Sequence, residues 1–165
     1  MYKMKKTILL IILSLSILSL MAQKPTIYHP EANASADIEA AIQKAKAEHK
    51  YVLLQGGGNW CKWCVEFYRV CTTDKHLDSL INENFVWYHL NYSKENKNSD
   101  IFKKYDFPQR FGFPVFIILN EKGERIHTQN SEYLEDGISS YDVKKVAAFF
   151  EAWSPSALDP KKFEK

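Results

Sequence analysis

With 165 residues, 45% of them hydrophobic and 25% charged, the chain is long enough for one compact domain and not obviously for two. A formal charge of only +2 makes no electrostatic case for a nucleic-acid partner. Three cysteines, a sparse and odd count, do not describe a disulfide-stapled scaffold, and a reactive pair plus one spare is the simpler account.

The chain opens with Lys3, Lys5 and Lys6 ahead of an apolar stretch from Ile8 to Leu20 that Ser14, Ser16 and Ser19 interrupt. This reads as a signal peptide over residues 1–22, with Ala22 the last residue before cleavage. The stretch is shorter than the roughly 20 residues a membrane span needs, so no stable membrane anchor is expected after cleavage. Removal takes away three lysines and no acidic residue, leaving a formal charge of −1. Export places the cysteines in an oxidising compartment, periplasmic or secreted.

Residues 23–34 read as an N-terminal lead in which Thr26-Ile27-Tyr28 can add an edge strand. The domain proper is expected over residues 35–158 and a tail over 159–165. Ser35 can cap a first helix carrying Ile38, Ala41, Ile42 and Ala45 at helical spacing. Tyr51 to Gln55 is a continuous apolar run of the kind that fills a strand buried on both faces. Gly56-Gly57-Gly58 is either a tight strand-to-helix turn or the opening of a groove beside Cys61. No Gly-Lys-Ser/Thr follows, so it is not a phosphate-binding loop, and no cofactor is expected.

A second helix is predicted from Cys61 to about Cys71, with Cys64, Phe67 and Cys71 on one face. Thr73 or Asp74 can start a third, with Leu77, Leu80 and Ile81 as its apolar positions. Phe85 to Leu90 reads as a strand from its aromatic and β-branched content. After a polar loop, Asp100 to Tyr105 reads as a short helix. Val115–Leu119, a turn at Asn120-Glu121-Lys122-Gly123, and Arg125–Gln129 form a hairpin signal. Asn130 to Ser139 reads as a loop. A last helix over Asp142 to Trp153 sets Val143, Val146, Ala147, Phe150 and Trp153 on one stripe, and Pro155 stops it. The pattern predicts an α/β fold: a mixed sheet covered by helices on both faces.

The chemistry lies in Trp60-Cys61-Lys62-Trp63-Cys64. Cysteines separated by two residues can close a small disulfide ring. A thiolate at a helix N-terminus gains from unpaired backbone N–H groups and the helix dipole, and Lys62 adds positive charge next door. Cys61, nearer the helix end and so more exposed, is the expected nucleophile, and Cys64, one turn inside, the resolving thiol. A purely structural disulfide and half of a metal site remain the alternatives. A zinc site would have to recruit Cys71 or His76, and Cys71 lies about 10 Å along the helix axis from Cys64, too far to share an ion. The same distance denies Cys71 a disulfide to Cys64. It reads as a small buried hydrophobe, or, if exposed, a dimer-forming thiol. His29, His89 and His127 stand isolated, with core or surface roles by default.

These residues, with Tyr51-Val52-Leu53-Leu54 before them and Gly112-Phe113-Pro114 some fifty residues after, resemble the thioredoxin superfamily, over a stretch from about Ser35 to Trp153. The resemblance implies a thioredoxin-like fold with a four- to five-stranded sheet. The strand order would be the Phe85 strand, the Tyr51 strand, Val115 and then Arg125. It also implies a cis Phe113–Pro114 bond beside Cys61. The activity implied is exchange of disulfides with protein substrates, as reductase or isomerase, with a separate redox partner to restore the dithiol. Trp60, Trp63, Phe113 and Pro114 would then contact substrate. The alternative from a different class is a binding or assembly module of the same fold whose disulfide is structural. One departure from the family pattern concerns mechanism: the position six residues before the first cysteine, often a buried carboxylate, is Gln55, which cannot take up a proton from Cys64.

Overall fold

The computed structural model describes residues 26–164; the predicted signal peptide and the first residues of the lead lie outside the described residues. The first helix, α1, runs Ala34–Glu48. Its cap is Asn33, whose side chain accepts from Ala36 N, and not Ser35 as the sequence suggested. Asn is as good an N-cap as Ser, and it stands at the one position whose side chain faces the free amides. His49 ends the helix in a left-handed conformation (φ 56°).

Strand β1, Tyr51–Gly57, is followed by helix α2, Lys62–Thr73, and helix α3, Lys75–Asn84. Asp74 separates the two helices and caps the second, accepting from His76 N and Leu77 N at 2.9 and 3.0 Å. Strand β2, Phe85–Asn91, lies parallel to β1, Tyr51 opposite Phe85 and Gly57 opposite Asn91. A parallel neighbour needs a long crossover, which α2 and α3 supply. A short helix α4, Ser99–Lys104, and a 3-10 turn at Pro108–Phe111 lead to strand β3, Val115–Leu119. Strand β4, Arg125–Asn130, completes an antiparallel hairpin; a 3-10 turn at Ser131–Leu134, inside the segment expected as a loop, leads to helix α5, Val143–Ala152, and a further 3-10 turn follows at Pro160–Lys162.

The sheet is four-stranded in the order β2-β1-β3-β4, as the resemblance implied. The predicted edge strand at Thr26–Tyr28 does not form; that segment runs as irregular chain against the turn after β1.

Alternation along β1 divides the core. Leu53 points to the face covered by α2, α3 and α5, where it meets Phe67, Leu77, Phe116, Ile118 and Phe150. Val52 and Leu54 point to the face covered by α1 and α4, among Ile38, Ile42, Leu90, Phe102 and Ile117. All three β1 residues are fully buried, which accounts for a run without polar alternation. One stripe needs correction: in α5 the inward residues are Val146, Ala147, Phe149 and Phe150, and Val143 faces solvent. Among the described residues no helix is long and apolar enough to cross a membrane.

Candidate active site

Strand β1 delivers the chain into the site, and the turn Gly58–Cys61 reverses it. Cys61 N donates to Gly58 O at 2.9 Å. Cys61 is the N-cap of α2, in extended conformation, and its Sγ accepts the backbone N–H of Cys64 at 3.1 Å. Sulfur thus sits where the helix presents its unpaired amides, the arrangement that favours negative charge on it. Cys61 and Cys64 are joined as a disulfide, Cα to Cα 5.2 Å. Lys62, the first residue of α2, is exposed next to the pair.

The sulfurs are more enclosed than the sequence suggested. Cys61 retains 5% of its surface and Cys64 none. Ile27 and Tyr28 from the lead and Phe113 from the loop before β3 pack over them. The order of exposure is as expected, but its size is much smaller, because the lead is folded onto the dithiol instead of extending the sheet.

The glycines are neither an empty turn nor an open groove. Gly56 and Gly57 belong to β1. A Cβ on Gly57 would stand 2.5 Å from Cys64 Sγ and 2.7 Å from Tyr28 Oη, and one on Gly58 would overlap the Trp60 indole. The space spared at Gly57 and Gly58 is filled by the site itself, and that at Gly56 by Phe102 and Val115 of the core.

The expected rim residues separate into two groups. Trp60 is 61% exposed, donates its indole N–H to Tyr92 O at 2.7 Å and meets Phe113 edge-on at 5.6 Å. Phe113 also packs against Tyr92 at 4.9 Å, and the Phe113–Pro114 peptide is cis, with Pro114 buried. Trp63 packs against both the dithiol cluster and the main core. It is half-buried and edge-on to Tyr141 at 5.6 Å, whose hydroxyl donates to Trp63 O. Beside Trp60 opens a mainly apolar hollow of about 570 Å³, walled by Pro30, Asn59, Tyr92 and Lys94.

Gln55 lies fully buried under the pair, and its Nε2 donates to Tyr28 Oη at 2.7 Å and to Cys64 O at 3.0 Å. Its Oε1 finds no partner among the described residues. Two participants were not singled out from sequence. Asn59 clasps the lead, its Oδ1 accepting from Ile27 N and Tyr28 N and its Nδ2 donating to Tyr28 O at 2.8 Å. Tyr28 is thereby held with its ring inside the site. The signal available was an Asn two residues before the first cysteine and a lone aromatic in the lead, but the contact spans about thirty residues of chain and no local pattern announces it.

Behind Tyr28, His89 of β2 packs edge-on at 5.5 Å, with Tyr68 and Trp87 on its other sides. Burial, with a smaller contribution from His29, pushes its imidazole down to about 4, so it is neutral at ordinary pH. Cys71 is a fully buried free thiol, and burial pushes its pKa well up, with Asp74 adding to the effect. It sits in the core as a small hydrophobe and offers no surface for a dimer bond.

A family model described as thioredoxin-like matches residues 33–121, more than half of the chain, and the chain belongs to that family. Among solved structures, the disulphide isomerase of Xylella fastidiosa superposes with a TM-score of 0.68 at 22% identity, over 78% of this chain and 97% of that one. The C-terminal domain of DsbD from Neisseria meningitidis in its reduced form superposes with a TM-score of 0.53 at 19% identity, over 72% and 96%. At these identities the likeness speaks for the fold. No curated protein matches the sequence.

Proposed function

We propose that the chain is an exported thiol-disulfide oxidoreductase, periplasmic or secreted, that exchanges disulfides with protein substrates as a reductase or isomerase. The observation that carries this reading is Cys61 at the N-cap of α2, its sulfur accepting the Cys64 amide. A structural disulfide has no need of that position, whereas a nucleophilic thiolate gains from it. The likeness to a disulphide isomerase and to a DsbD domain agrees with it.

In the forward direction the Cys61 thiolate attacks one sulfur of a substrate disulfide. A Cys61–substrate bond forms and the other substrate sulfur leaves as a thiolate. Cys64 then attacks Cys61 Sγ, the Cys61–Cys64 bond forms, and the second substrate sulfur leaves. Two electrons have passed from dithiol to substrate, and a separate redox partner returns them. Trp60, Trp63 and Phe113 are the surfaces a substrate would meet, and the backbone beside the buried Pro114, ahead of β3, would pair with an extended segment. Trp63, packed on Tyr141, also acts as support for the helix start. Lys62 adds positive charge at the entrance, and Gln55 modulates Cys64 from below.

The near-complete cover of Cys61 favours a second reading, a binding or assembly module whose disulfide is structural. Insulin reduction by the exported chain separates the two. Turnover that Cys61→Ser lowers at least a hundredfold, with an unchanged melting profile, supports the enzyme; a wild-type protein that does not turn over supports the module.

A further inference from the structure

The hydrogen bonds beneath the dithiol leave one proton unspent. A carbonyl oxygen only accepts, so the 3.0 Å contact with Cys64 O obliges Gln55 to present its amide nitrogen on that side. The second N–H of that nitrogen is the one 2.7 Å from Tyr28 Oη, and the phenol is therefore the acceptor. Its own O–H proton cannot go to Gln55, and among the described residues it has no acceptor. Sulfur lies close by: the phenol oxygen and Cys64 Sγ share the small space over Gly57, each close enough to collide with a Cβ there. Tyr28 and Cys64 are both fully buried.

We propose that Tyr28 acts on the resolving step: its hydroxyl donates a hydrogen bond to Cys64 Sγ as that sulfur becomes a thiolate, with Gln55 holding the phenol in the donor orientation and Asn59 holding its backbone. The inference rests on the redox reading of the preceding section and deepens it.

The reaction needs such a donor. To attack Cys61 Sγ in the mixed disulfide, Cys64 must lose its proton in a buried site, and burial opposes the charge. Cys64 lies one turn inside the helix, and its amide is already spent on Cys61, so the helix start that serves Cys61 does not serve it. Gln55 can neither take the proton nor reach the sulfur with a free N–H, since both of its N–H groups are used.

Burial raises the Tyr28 phenol well above its ordinary range, an effect that outweighs the Gln55 hydrogen bond. Tyr28 is thus a donor at neutral pH and not a base. In the step itself the Cys64 S–H bond breaks, and its proton ends on the departing substrate thiolate. The Cys64–Cys61 bond forms, the Cys61–substrate bond breaks, and Tyr28 keeps its proton throughout. The other titratable groups packed here are His89 from β2, Tyr68 from α2 and Tyr141 from the segment before α5. His89 is neutral, and burial holds the Tyr141 phenol protonated. No carboxylate or ammonium enters the hydrogen bonds of Tyr28, Gln55 and Cys64 among the described residues.

The test is a two-phase reaction of the reduced protein with dithiobis(nitrobenzoate). The first release of chromophore reports attack by Cys61, the second reports resolution by Cys64. Tyr28→Phe should leave the first phase unchanged, slow the second about tenfold at neutral pH and move its pH midpoint up by about one pH unit. A fluorotyrosine at position 28, a more acidic phenol of nearly the same shape, should move the midpoint down. If both phases appear in the wild type and neither substitution moves the second, the role of Tyr28 is overturned and the redox reading stands. If the wild type lacks the first phase, the redox reading falls and this inference with it.

Discussion

Helix α2 carries a cysteine at each end, and the two ends make opposite use of the same atom. At the start, Cys61 caps the helix and its sulfur receives a backbone N–H. Almost three turns on, Cys71 lies with Phe67 and Leu77 in the core, where burial pushes its thiol up. The residue type is shared; the free amides and the residual contact with solvent are not. Position along the helix, and not the count of cysteines, sets the surroundings each sulfur meets.

The largest effect that tests this contrast is thiol labelling. After reduction, iodoacetamide at neutral pH should modify Cys61 at least a hundredfold faster than Cys71, with Cys71 reacting only once denaturant unfolds the chain. Mass spectrometry of timed samples measures both, and equal rates would abolish the distinction.

A second test separates the two ends by acid. His89 packs behind Tyr28, at the dithiol end. In the unfolded chain its imidazole takes up a proton near the ordinary value of about 6.5, but burial keeps it neutral in the fold down to about 4. Between those values the unfolded chain binds more protons, so stability present above about pH 6.5 falls as the pH drops through the window. The loss should total roughly 3 kcal/mol. Urea titrations at several pH values should show it, and His89→Leu should flatten the curve; a parallel decline in the variant would place the acid sensitivity elsewhere.

The smallest effect is at the inert end. Cys71→Ala should cost about 1 kcal/mol in denaturant unfolding and leave insulin reduction within experimental error. A fall in turnover would give Cys71 a part in exchange that its burial denies.

Much of the scaffold was legible in the sequence because it is local or periodic. The unbroken apolar run of β1, Asp74 ahead of a helical stripe, and the Val115–Leu119 hairpin each reflect an interaction within a few residues. Strand order came with the resemblance, since no period encodes which strand lies beside which. Near the site, legibility stopped where contacts became distant. The lead looked like an edge strand because Thr26, Ile27 and Tyr28 have strand propensity, but Asn59 takes the amides of Ile27 and Tyr28 that a strand would have offered to a neighbour. Trp63, expected at the rim from its place beside Cys64, packs on the dithiol cluster and also on Tyr141, a partner far along the chain that no spacing announces. Val143 fitted the α5 stripe by spacing, but at the first turn it lies beyond the edge of the core, and Phe149 takes up the inward position.

Gly57 carries one more consequence. Where β1 ends, the fold spends a residue on having no side chain, and the atoms crowding into that gap are the Cys64 sulfur and the phenol behind it. A single methyl group introduced there would be a wedge driven between backbone and chemistry, displacing one or both while the sheet and its helices stay as they are. A position that contributes no functional group at all thus decides how close sulfur and phenol stand to the strand.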